Sequence, residues 1–389
     1  MDLDAAISTF FRRWDALERS VEGGGLVLDF DMAPRVPWNG DPYADRDEAV
    51  RVLDGLLDRV AGTDSLIDPE LVQTKLRGSD AYLRALNGEV APFETYLHAT
   101  MGIAPDPLDS STLDALRQQV LTRFESHDVP FGTEGRSRLG HLFGRATSDE
   151  VARDLPILAE QFVARVRALL PELPEPDYSI EVVDTDAYWA NWIDGSVEGG
   201  VALKINTHER IEYERRSARG LAAHEIAGHA VHVAGMRHAA ATGTLDPCAL
   251  NLTVHSCEAF HMEGLAQIAL YALSAPDELD EGDALRLEHR LYSGAVLNRA
   301  QMRIEDGMSV DEAADEAVAA CPLVKPLTIR ASLRDRARDP LYRCYIHVYA
   351  PALRTFLRFR ELDEPARSTF LRQAWTSLKT PTQLRALLA

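Results

Sequence analysis

The chain has 389 residues, a formal net charge of −20, 46% hydrophobic residues and 26% charged residues. That length buries a sizeable core in one large domain or two closely packed ones. The composition is that of a globular chain, and the acidic balance leaves no basic footprint for nucleic acid as a partner. No run of about 18 apolar residues occurs, so neither a membrane-spanning helix nor a membrane partner is expected. The stretch "MDLDAAISTFFRRW" lacks the basic and apolar blocks of a secretory signal. Cys248, Cys257, Cys321 and Cys344 are scattered without a Cys-x-x-Cys pair, which fits free thiols in a reducing cytoplasm.

In chain order, residues 1–172 read as a helical region. Val50, Leu53, Leu56, Leu57 and Val60 recur at helical period over 46–60. "DPELVQTKLRGSDAYLRAL" and "STLDALRQQVLTRF" each open at an Asp or Ser cap. The next such face runs through Leu155, Leu158, Phe162, Val166 and Leu169. None of these helices carries a chemical motif, and they are expected to form a wall or lid.

A proline-rich break at 171–178 opens a second region, 173–389, in which the period changes to about two. Strands are expected at 179–184, 187–192 and 201–206, the last two joined through the turn "IDGSVEGG". A long helix follows over 213–240, then helices near 255–274, 277–305, 309–320, 340–360 and 363–378. A small sheet just before a histidine-bearing helix offers an edge along which an extended peptide could lie.

Six of the chain's 12 histidines fall within residues 224–261. His224 and His229 frame Glu225 in "HEIAGH", five residues apart instead of the four of the common zinc-protease helix. At 3.6 residues per turn, five residues are separated by about 140° around a regular helix, too far to share one ion. A π-bulge brings them back to one face. Ala227-Gly228 is the expected place for it, since glycine tolerates the distortion. Glu225, next to the first histidine, has the position of a general base that takes a proton from an attacking water. His232 and His238 read as ordinary helix histidines.

A catalytic zinc needs a third protein ligand and an open position. "HSCEAFHMEGLAQIALYAL" (255–273) offers His255, Glu258, His261 and Glu263. Glu263 sits among apolar neighbours, where a buried carboxylate wants a cation. Gly264 would let another element pack close.

"HEIAGH" followed some thirty residues later by "EGLA" resembles the tubulin tyrosine carboxypeptidase family of zinc peptidases, over roughly residues 200–355. That family reads HEIGTH, then EGLA. A weaker likeness exists to bacterial zinc hydrolases with an EG-W-A segment. The resemblance implies one zinc ion held by His224, His229 and Glu263, with Glu225 as the base. Glu258 is the rival third ligand, or an acceptor behind a ligand histidine. The family also carries Asp-x-x-Tyr, matched here by Asp339 to Tyr342. Tyr342 is thereby implied as a support for the oxyanion, with Tyr345 and Tyr349 as alternatives. Arg330 and Arg334, in "TIRASLRDRAR", are candidates to receive a substrate carboxylate.

The expected fold is mainly α with a small β-sheet, a zincin-like metallohydrolase of the gluzincin type with a helical N-terminal half. The expected function is hydrolysis of a peptide or amide bond, carboxypeptidase-like, in a short peptide or peptide-like substrate. Three other readings stay open. One is a carboxylate-bridged redox site using Glu258 and His261, which form a Glu-x-x-His step. Another is a structural zinc with His255 or His261 as a fourth ligand. The third is non-peptide zinc chemistry in a biosynthetic pathway.

Overall fold

The computed structural model describes residues 2–36, 40–105, 108–186, 189–209 and 211–389. The part of the chain before residue 172 holds α1 (Leu3–Ser20), β1 (Phe30–Asp31), α2 (Arg46–Ala61), α3 (Pro69–Leu86), α4 (Phe93–Met101), α5 (Ser110–Glu125), α6 (Thr133–Phe143), β2 (Arg145–Ala146) and α7 (Ser148–Leu169). The starts follow local chemistry. The Asp45 and Asp68 side chains accept the Glu48 and Leu71 amides, and Thr147 and Glu150 close a capping box at α7.

Strands β3 (Tyr178–Val183), β4 (Asn191–Ser196) and β5 (Gly200–Asn206) come next, then β6 (Tyr213–Glu214) and α8 (Ser217–Leu221). A π-helical segment, Ala222–Ala230, continues α8 directly into α9 (Val231–Ala241). After β7 (Asn251–Leu252) the chain is helical: α10 (Glu258–Leu273), α11 (Glu281–Glu305), α12 (Val310–Ala320), α13 (Pro326–Arg338), α14 (Pro340–Leu357), α15 (Glu364–Thr376) and α16 (Pro381–Leu387). The molecule is mainly helical with a small mixed sheet, as expected.

The five-stranded sheet has the order β3-β5-β4-β1-β7. β3 runs parallel to β5, β5 antiparallel to β4, β4 parallel to β1, and β1 antiparallel to β7. Alternation along β5 sets its two faces. Val201, Leu203 and Ile205 are buried in the core, while Ala202 and Lys204 face a cleft. Gly200 starts β5 at a φ of 66°, and a side chain there would collide with Asp177. The strand expected at 187–192 is found at 191–196, because its far end pairs with β1; Ala187 and Tyr188 lie outside the described residues. The long helix expected from 213 begins at Ser217, after the short strand β6.

Apolar side chains gather in three clusters. One packs the sheet, α7, the π segment, α10, α14 and α15. A second joins α1–α3 to Cys248, Val254 and Leu341, and a third joins α5 and Phe143 to α11–α13. Every cluster takes residues from both sides of position 172, so that position separates stretches of chain and not cores. All four cysteines are buried free thiols. Among the described residues no helix is long and apolar enough to cross a membrane.

Candidate metal centre

The histidine helix changes its winding where the spacing requires it. Across Ala222–Ala230 the helix is π, and the Val231 amide bonds to the carbonyl of Ile226, five residues back. Residues five apart then lie over one another. The His224 and His229 rings sit 5.1 Å apart, at 82° to each other. Two contacts made from outside hold the distortion. The Trp375 indole N–H of α15 donates to the Ala227 carbonyl at 2.7 Å. Gly228 lies so close to α10 that a Cβ there would stand 2.5 Å from the Ala266 Cα. Glycine is therefore needed here for close packing.

That contact brings α10, and with it Glu263, against the histidines. One ring nitrogen of each histidine and one Glu263 oxygen all lie within 4.8 Å of one another. His224 Nε2 is 3.7 Å from Glu263 Oε2. Ligand atoms about 2.0–2.2 Å from a tetrahedral zinc stand about 3.3–3.5 Å apart, so small movements would close this set on an ion. Glu263 Oε2 and His229 Nδ1 are buried without hydrogen-bond partners. A buried carboxylate oxygen in that condition fits a cation. Burial pushes the His224 imidazole down to about 3 and His229 well below its ordinary value, so both are neutral, the form that ligates. Two imidazoles and one carboxylate form a donor set that suits zinc and leaves a position open.

The surrounding side chains fix these donors. The Tyr345 hydroxyl donates to Glu263 Oε1 at 2.6 Å, and the Tyr349 hydroxyl donates to Tyr345 at 2.7 Å. Burial raises Glu263 to about 7 against the lowering effect of both tyrosines. On the facing sheet, Asn191 Nδ2 donates to Glu225 Oε1 at 2.7 Å. Burial first, then the neighbouring Glu263 charge, lifts Glu225 to about 8. Gly264 meets the Phe356 ring of α14, which a Cβ would approach to 2.2 Å.

The donor set opens into a cleft of about 1130 Å³, walled by one face of the sheet, β1 and the start of α14. The Gly195 and Val197 amides donate to the Asp29 and Asp31 carbonyls. β1 thus covers only the far end of β4, and the Asn191–Asp194 edge on that side has no strand partner among the described residues.

The other sequence-derived candidates fall as follows. Tyr342 lines the cleft half-buried, with no hydrogen bond to the donor set among the described residues. Tyr345 is bound to Glu263, so its place is behind a ligand. Arg330 and Arg334 do not reach the cleft. They lie on α13 and pair with Asp315 and Asp311 of α12. Their spacing along the outer face of an amphipathic helix explains this. Glu258 is also elsewhere, held by Lys75 at 2.8 Å, by Ser256 and by the Thr253 amide. His261 is engaged at both ring nitrogens, by the Ala374 carbonyl and the Lys379 amide. His255 contacts Ser79 and stacks on Tyr82 with 4.4 Å between ring centroids. Neither the Glu258–His261 step nor a fourth histidine joins the donor set. Asn191 and Asp29 went unnoticed in the sequence, although "LVLDFDM" alternates like the strand that β1 forms.

No protein-family model matches the chain, and no curated protein does. Solved structures share its fold, and two of them are described as lipoproteins. One is described as "the putative lipoprotein from Colwellia psychrerythraea"; it is 12% identical with a TM-score of 0.60, over 98% of this chain and 74% of that one. The other is described as "a putative lipoprotein of unknown function from Shewanella oneidensis"; it is 13% identical with a TM-score of 0.52, over 88% and 71%. At such identities the likeness concerns the fold alone.

Proposed function

We propose that this protein is a zinc-dependent hydrolase of peptide or amide bonds, zincin-like in its chemistry, acting on short peptides or peptide-like molecules. The observation that carries the reading is the meeting of His224, His229 and Glu263 beside Glu225. The motif resemblance to the tubulin tyrosine carboxypeptidase family supports it.

His224, His229 and Glu263 would hold the ion. When bound, zinc would polarise the scissile carbonyl and make a water molecule more acidic. Glu225 takes the proton from the attacking water and returns it to the leaving amine. Asn191 holds the Glu225 carboxylate in place, and Tyr345, backed by Tyr349, holds Glu263. Tyr342 is the cleft tyrosine left free to donate to a developing oxyanion. The open edge of β4 would align an extended substrate beside Glu225.

Glu225→Gln is expected to retain one zinc per chain while losing hydrolysis by about 10²-fold or more, checked by elemental analysis and peptide turnover. Turnover at the wild-type rate in that variant would refute the mechanism.

A further inference from the structure

We propose that the cleft selects short peptides with both ends free, the ammonium group facing Asp29 and the carboxylate facing Arg290. This rests on the hydrolase reading above and adds its substrate class. The main cleft and a second cavity of about 550 Å³ share Asn191, His224, Glu225 and Tyr349, so the donor set lies where the two meet.

Among the described residues, each cavity has an ionisable side chain without an ion-pair partner near the donor set; Glu181 also lines the main cleft unpaired, but it is exposed on β3. In the main cleft, Asp15, Asp31 and Asp194 are held by Arg19, Arg12 and Lys204. Asp29 lines the same cleft and its carboxylate has no hydrogen-bond or ion-pair partner among the described residues. In the second cavity, Arg216, Arg219 and Arg286 are paired with Asp280, Asp283 and Glu214. Arg290 is exposed and has no carboxylate partner among the described residues. Burial first, then the Glu263 and Asp194 charges, push the Asp29 carboxyl up to about 8, as expected of an acid with no cation beside it, while Arg290 acts to lower the Glu263 carboxyl. An unpaired carboxylate in a cleft favours a cation, and a free guanidinium is suited to a carboxylate.

The sheet limits length. Gly195 and Val197 point their amides at β1, so by alternation Asn191 and Ile193 present their backbone groups along the same, open side. A peptide laid there runs into β1, at Asp29. Asn191 to Gly195 is four steps, roughly 13 Å, which leaves room for about three residues before the block. An end fits that position better than a continuing chain, and Asp29 suits an amino end.

The test is equilibrium dialysis of a random tripeptide pool against zinc-loaded Glu225→Gln protein, with retained peptides counted by mass spectrometry. The pool is used free-ended, N-acetylated and C-amidated, so that an N-terminal ammonium is told apart from a lysine side chain. Free-ended peptides are expected to be enriched roughly tenfold or more over either blocked form, the value of a charge-assisted hydrogen bond. Asp29→Asn should abolish discrimination against acetylation, and Arg290→Gln discrimination against amidation. Equal retention of blocked and free pools, or retention of none, overturns the inference. Free-ended retention without any cleavage by the wild type upholds the inference and overturns the hydrolase. Equal cleavage of free and blocked peptides by the wild type does the reverse.

Discussion

Tyr345 is the residue on which the donor set most depends without belonging to it. Its hydroxyl satisfies Glu263 Oε1 and leaves Oε2 for an ion. Tyr345→Phe keeps the ring and removes that bond, and zinc affinity is expected to fall by about 10–100-fold in a chelator competition. Unchanged affinity would show that Glu263 needs no such hold. Away from the site, Lys75 and Glu258 form a buried pair, 2% and 1% exposed. Burial alone would raise Glu258, but Lys75, Ser256 and the Thr253 amide outweigh it and its folded value is lowered from 4.5. A lowered carboxyl stabilises the fold above its unfolded value and loses that contribution as pH falls. Glu258→Gln should therefore cost about 3–5 kcal/mol near neutral pH by stranding the Lys75 charge. The deficit relative to wild type should shrink below about pH 4.5, as denaturant unfolding across pH would show.

At the level of elements, the π segment joins sequence to site. The spacing of His224 and His229 made its existence legible, because no regular helix can face both histidines the same way. What holds it was not legible, since Trp375 and Ala266 lie far along the chain from the bulge. The helices whose apolar residues repeat at clear period were legible nearly to their ends. α4, α6 and α16 are short, and β1, β2, β6 and β7 have two residues each, too few to show a period. The misplacing of Arg330 and Arg334 has the same origin: an arginine that pairs on a surface and one that faces a cavity look alike in sequence. Trp375→Phe should lower unfolding free energy by about 1–3 kcal/mol by leaving the buried Ala227 carbonyl unbonded. It should also weaken zinc binding, which a purely peripheral packing role for Trp375 would leave unchanged.

At the scale of the whole molecule, the three apolar clusters each join early and late chain, so the helical first half shares its cores with the part that carries the donor set and is not a detachable lid. Heat unfolding is expected as one cooperative transition. A fragment of residues 173–389 is expected to show poorly dispersed amide spectra, and a well-dispersed one would contradict this view of the core. The central claim is that the π-helical turn and α10 together build one zinc site. The most direct measurement is anomalous diffraction at the zinc edge from crystals of the zinc-loaded protein. The account predicts a single strong peak about 2.0–2.2 Å from His224, His229 and Glu263, with the helix still π-wound. A zinc peak coordinated elsewhere, or none at these three residues, would contradict it.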